Sequence, residues 1–165
     1  MANQRRKHHF WRNLLILIVL LGLFLCWDNS SIETDEVTFT SLALPAGFDG
    51  CRVVHLSDLH GKYFGEDNER LYSAVKAAQP EYIFVTGDLV DRKTENPTIY
   101  AGEVGAALSA IAPTYYVTGN HERGHGTKVV EEIKRTLRES GVTVLSNEFV
   151  PLLRNGDSIV LAGID

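Results

Sequence analysis

Three rhythms of hydrophobic and polar positions divide the chain. Residues 14–27, LLILIVLLGLFLCW, are apolar or glycine throughout, with no polar face. Beyond a polar stretch, VTFTSLAL (37–44) alternates and predicts a strand. PAGFDG (45–50) reads as a turn. Then the same order occurs three times: a short β-rich run, a polar loop, and a stretch of helical period. The strand CRVVHLS (51–57) precedes a loop over 58–66 and a helix over about 67–78. The strand EYIFVTG (81–87) precedes a loop over 88–97 and a helix near 98–112. The strand PTYYVTG (113–119) precedes a loop over 120–126 and a helix near 127–140. GVTVLSN and SIVLAGI predict two more strands. Strands alternating with helices at this spacing imply βαβ crossovers and a largely parallel sheet, an α/β fold.

The amino-terminal run follows a basic head containing Arg5, Arg6, Lys7 and Arg12. As a helix, residues 14–27 would rise roughly 21 Å, short of a hydrocarbon core of about 30 Å. Starting at Phe10, with Arg12 snorkelling, extends the rise to about 27 Å. A cleaved signal needs small residues before the cut, and LFLCWDNSS has no such site. A lipoprotein signal fails at the large Leu25. His8 and His9 stand where a twin-arginine signal needs apolar residues. The reading is a cytoplasmic head and uncleaved signal-anchor helix over 1–27, a linker over 28–36, and a body over 37–165. The expected location is the cell membrane, single-pass, with the body extracytoplasmic.

Charge narrows the partners. The chain has a net charge of −5, but the first 12 residues are basic. The remainder carries 12 basic and 21 acidic residues. An acidic body is a poor nucleic-acid binder, and none is expected as partner. Cys26 lies in the apolar run, so Cys51 has no disulfide partner in the body.

The polar residues then gather at equivalent places. Asp58 and His60 follow the first of these strands, Asp88 and Asp91 the second, Asn120 and His121 the third. The carboxyl ends of parallel strands share one edge, where such folds bind ligands. Each motif alone has a plainer explanation as a turn. Together, SDLHG, TGDLVDR and TGNHE put oxygen and nitrogen donors from three loops at one edge. HERGH (121–125) also fits the zinc-protease pattern H-E-x-x-H, which requires a helix to align its histidines. Gly124 and Gly126 weaken a helix there by about 1 kcal/mol each. That match is read as accidental.

This set resembles the calcineurin-like metallophosphoesterase superfamily, through Asp58, His60, Gly87, Asp88, Asp91, Gly119, Asn120, His121 and Glu122. With the anchor, the chain is similar to its membrane-attached bacterial members. The resemblance implies an α/β/β/α sandwich, of which residues 37–165 would be the amino-terminal half. It implies two divalent ions of the Mn, Fe or Zn class. Asp58, His60 and Asp88 would hold one, and Asp88 and Asn120 the other. His121 would protonate the leaving group or stabilise charge on it, oriented by Asp91. Members of the superfamily carry further histidines downstream, including a G-H-x-H motif. The sequence past His121 holds only His125. The chain is therefore expected to be the amino-terminal part of a longer protein or a truncated gene product, to lack the second sheet, and to show little or no turnover. The implied function is metal-dependent hydrolysis of a small, nucleotide-sugar or lipid-linked phosphoester. The alternative is a non-catalytic binding or scaffold protein on the same fold.

Overall fold

The structure, a computed structural model, describes residues 2–28 and 32–165. It divides into two compact units, residues 1–33 and 34–165.

The first unit is one helix, α1 (Ala2–Asp28). Side chains are described there for His9 and for Trp11 to Phe24. Within that stretch Leu15 through Leu21 are exposed on every face. Among the described residues no helix is long and apolar enough to cross a membrane. The predicted anchor lies partly outside the described residues, as does the linker at 29–31.

The second unit is built around a parallel sheet of β1 (Val53–Leu56), β2 (Tyr82–Val85), β3 (Thr114–Tyr116) and β4 (Thr143–Val144). Its order is β1-β2-β3-β4, with all three pairings parallel. The crossovers are α2 (Glu69–Ala77), α3 (Pro97–Ser109) and α5 (Thr127–Glu139). Crossovers between parallel strands are right-handed, so strands laid down in sequential order put every helix on one face. The burial alternates accordingly. Ile83, Val85 and Tyr116 join Val104, Leu108, Ile133 and Leu137 among the buried residues of the helix layer. Each such leucine or isoleucine contributes about 1.5–3 kcal/mol by leaving water.

The opposite face carries Tyr82, Phe84 and Tyr115. It is covered by a separate antiparallel hairpin, β5 (Glu148–Arg154) and β6 (Asp157–Gly163). Leu152, Ile159 and Leu161 of the hairpin pack with Phe48 against those aromatic residues. The Tyr82 hydroxyl donates to the Leu153 carbonyl at 2.8 Å. Arg154 closes the edge, donating to Glu81 through Nε at 2.6 Å and Nη2 at 2.9 Å.

This hairpin corrects two sequence expectations. A second sheet was expected to be missing, yet a two-stranded one packs on the first. β5 was not anticipated because Pro151 interrupts its pattern, and proline is confined to positions that need no ladder donor. Asn155 and Gly156 have φ of 50° and 86°, the backbone of a tight I′ turn. The strand predicted over 37–44 does not form. Val37, Phe39 and Leu42 are exposed there, and the segment pairs with no strand among the described residues. Alternation predicts a strand only where one face finds a sheet to cover.

Candidate metal centre

β1, β2 and β3 all point their carboxyl ends to one edge. The pairing continues past the strands: Asp58 N–H donates to the Gly87 carbonyl at 3.3 Å, and His60 N–H to the Asp88 carbonyl at 2.9 Å. The first two loops are therefore held in register. The third approaches the second through bare backbone. A Cβ on Gly87 would lie 2.5 Å from the Gly119 Cα, and one on Gly119 would collide with Asp88. The space beside Gly87 is thus filled by the neighbouring loop. Gly87 also has φ of +84°, which glycine adopts without strain.

Asp58, His60 and Asp88 have φ of 58°, 51° and 51°. Left-handed backbone is uncommon for residues with a Cβ. It turns each side chain out of the strand direction and toward the shared edge. One ligand atom each from His60, Asp88 and His121 lies within 4.8 Å of the others. The His60 and His121 rings meet edge to face, centroids 4.6 Å apart. Asp58 Oδ1 stands 3.5 Å from His60 Nε2. Two imidazoles with a carboxylate are a donor set that first-row divalent cations accept.

Asp58 is held below the ordinary carboxylate range, first by the Ser57 side-chain hydrogen bond and further by His60 and Asp88. Asp91 is also lowered, chiefly by the Lys93 N–H.

The remaining candidates sit around this group. Asn120 is exposed and begins α4 (Asn120–Arg123), a single helical turn where a loop was expected. Glu122, three residues after Gly119, accepts its N–H at 2.9 Å and so nucleates that turn. Asp91 Oδ1 accepts from Lys93 N–H at 2.9 Å and from Thr94 Oγ1 at 3.0 Å, capping its own turn. It is the Asp91 backbone carbonyl that meets a histidine, His125 Nε2 at 2.6 Å. The helical turn ends before His125, whose ring goes to Asp91 while His121 lies with His60 and Asp88. The two histidines of the H-E-x-x-H match thus serve different places.

Sequence reasoning gave Glu122 no role, yet its carboxylate is fully buried. Its only visible signal was its place in TGNHE, because the backbone N–H groups that satisfy it leave no trace in side-chain spacing.

Residues 51–163 match the calcineurin-like phosphoesterase family. The chain is 33% identical over 143 residues to the uncharacterised metallophosphoesterase YkuE of Bacillus subtilis, covering 81% of this chain and 48% of that protein. It is 34% identical over 159 residues to YkoQ of the same organism, also named an uncharacterised metallophosphoesterase, covering 92% and 58%. It is 32% identical over 127 residues to a transmembrane protein with metallophosphoesterase domain of Danio rerio, covering 74% and 28%. The chain spans about half the length of the two bacterial relatives.

Proposed function

We propose, from the premise that the chain belongs to the calcineurin-like phosphoesterase family, that it serves the metal-dependent hydrolysis of phosphoesters. The observation that carries this reading is the convergence of His60, Asp88 and His121 within 4.8 Å from three separate loops. His60 and Asp88, with Asp58 beside them, would hold one divalent cation. Asp88 and Asn120 would share a second. Bound cations of this kind acidify a coordinated water and neutralise phosphate oxygens.

The residues divide the other tasks. His121 lies beside the metal-binding group and is proposed as the general acid that gives its proton to the leaving oxygen. The Asp88 Oδ1 accepts the His121 N–H at 2.8 Å, fixing the histidine's backbone relative to the carboxylate. Asp91 is proposed to orient the His121 ring when substrate is present. Gly87 and Gly119 keep the loops close enough for one substrate phosphoryl group to reach all three.

The amino-terminal helix is proposed as a single-pass membrane anchor with the body on the extracytoplasmic side. Leu15 to Leu21 are exposed along it, and they follow a basic head. That placement favours a lipid-linked or nucleotide-sugar phosphoester.

The test is hydrolysis of bis-p-nitrophenyl phosphate with added Mn2+, with and without chelator. In the chain joined to the carboxyl-terminal portion of a bacterial relative, His121→Ala should lower kcat by roughly 10²–10⁴-fold while Mn2+ affinity changes little. Loss of Mn2+ affinity instead would make His121 a ligand. Hydrolysis unaffected by chelator would overturn the metal-dependent reading.

A further inference from the structure

Glu122 is a carboxylate with no exposed surface, and no basic side chain is among its hydrogen-bond partners in the described residues. A buried carboxylate is costly unless it is fully hydrogen-bonded. Three backbone donors meet that need. Oε2 accepts the N–H of Asp88 at 3.0 Å and of Gly119 at 2.9 Å, and Oε1 accepts the N–H of Val90 at 3.1 Å. Two of these donors belong to the loop after β2 and one to the loop after β3. One side chain therefore ties both loops together at the backbone of Asp88.

Asp88 is the residue it grips most directly. The Asp88 N–H is pinned by Glu122, and the Asp88 Oδ1 accepts the N–H of His121, the neighbour of Glu122. The two loops thus exchange a reciprocal pair of hydrogen bonds around Asp88. Between those two anchors the Asp88 backbone sits at φ of 51°, where an aspartate stays only if its surroundings over-determine it.

We propose that Glu122 is a positioning residue for the metal centre. By accepting the N–H groups of Asp88, Val90 and Gly119, its buried carboxylate imposes the left-handed backbone of Asp88. It thereby sets the direction in which the Asp88 carboxylate faces His60 and His121. The claim about metal rests on the phosphoesterase reading above; the claim about the backbone does not.

Glu122→Gln is the informative change. Three donors converge on two acceptor oxygens. A glutamine retains one oxygen and turns an NH2 group toward at least one of the three N–H groups. Volume is conserved, so packing is not the variable.

The full chain in detergent micelles is titrated with Mn2+ at a temperature where wild type and variant are both folded. Glu122→Gln is expected to bind Mn2+ at least about tenfold more weakly, as loss of an outer-shell partner does. A core change far from the site, Leu108→Ala, should lower the melting temperature yet leave Mn2+ affinity within about twofold. Equal Mn2+ affinity in wild type and Glu122→Gln would overturn the proposal.

A second measurement needs neither metal nor a folded variant. In the wild-type chain without metal, the amides of Asp88, Val90 and Gly119 should be protected from hydrogen exchange although they lie in loops. Exchange of all three at the rate of open loop amides would refute the tie. If wild type binds no Mn2+ while these amides are protected, the metal reading fails and the backbone role stands.

Discussion

Asp58, His60 and Asp88 share a left-handed backbone that costs each of them roughly 1–3 kcal/mol. Asparagine tolerates that conformation nearly as well as aspartate, while alanine does not. Asp88→Asn should therefore keep the fold and remove only the charge, whereas Asp88→Ala adds backbone strain of about 1 kcal/mol or more. Thermal unfolding of the two variants side by side checks this: Asp88→Ala is expected to melt lower.

A second residue-scale prediction concerns Asp165. Burial acts to raise its pKa. Hydrogen bonds from Lys134, Ser146 and the Thr118 N–H outweigh that and hold it down at about 2. Lys134 Nζ lies 2.8 Å from Oδ2. A carboxylate depressed in the folded state stabilises above its unfolded pKa of about 3.9, and that stability is lost as pH falls through about 2. The contribution is about 2 kcal/mol at neutral pH, mostly gone by pH 2. Stability measured by denaturant between pH 5 and 2 should fall less steeply in Asp165→Asn than in wild type. Equal slopes would remove Asp165 from the acid response. The residues gathered at the sheet edge were legible from their places after β-rich runs. Their partners were not, because Glu122 and Asp165 are satisfied largely through backbone N–H groups and contacts distant in sequence.

At the scale of elements, the hairpin β5–β6 covers the aromatic face of the parallel sheet. Its turn needs φ of 50° at Asn155 and 86° at Gly156. Gly156→Val forces a β-branched residue into that region, and a loss of about 1–2 kcal/mol in unfolding free energy is expected. Asn155→Gly should be nearly neutral. Helical and alternating periods located β1 to β4 and the three crossovers to within a few residues. They failed where tertiary pairing decides the outcome. Pro151 disguised β5, which pairs along its whole length with β6. Residues 37–44 alternate like a strand with no sheet to join. α4 was hidden because its single turn is closed by the Glu122 carboxylate rather than by an apolar stripe.

At the scale of the whole molecule, each unit has an exposed apolar surface of its own. One is that of α1. The other is the outer face of the hairpin, where Phe149, Leu153 and Val160 are exposed side by side. An exposed patch of this kind promotes association. Replacing Phe149 and Val160 together with threonine should reduce the aggregated fraction seen by light scattering without lowering stability by more than about 1 kcal/mol. An unchanged aggregated fraction would shift the liability to α1.

Three loops at one sheet edge are proposed to form a metal site through Asp88. Calorimetric titration of Mn2+ into the full chain, compared with Asp88→Asn, tests it most directly. Saturable binding is expected of wild type, and a loss of at least about tenfold in affinity in Asp88→Asn, with the fold retained by circular dichroism. Binding of equal strength in both, or none in a folded wild-type chain, would contradict it.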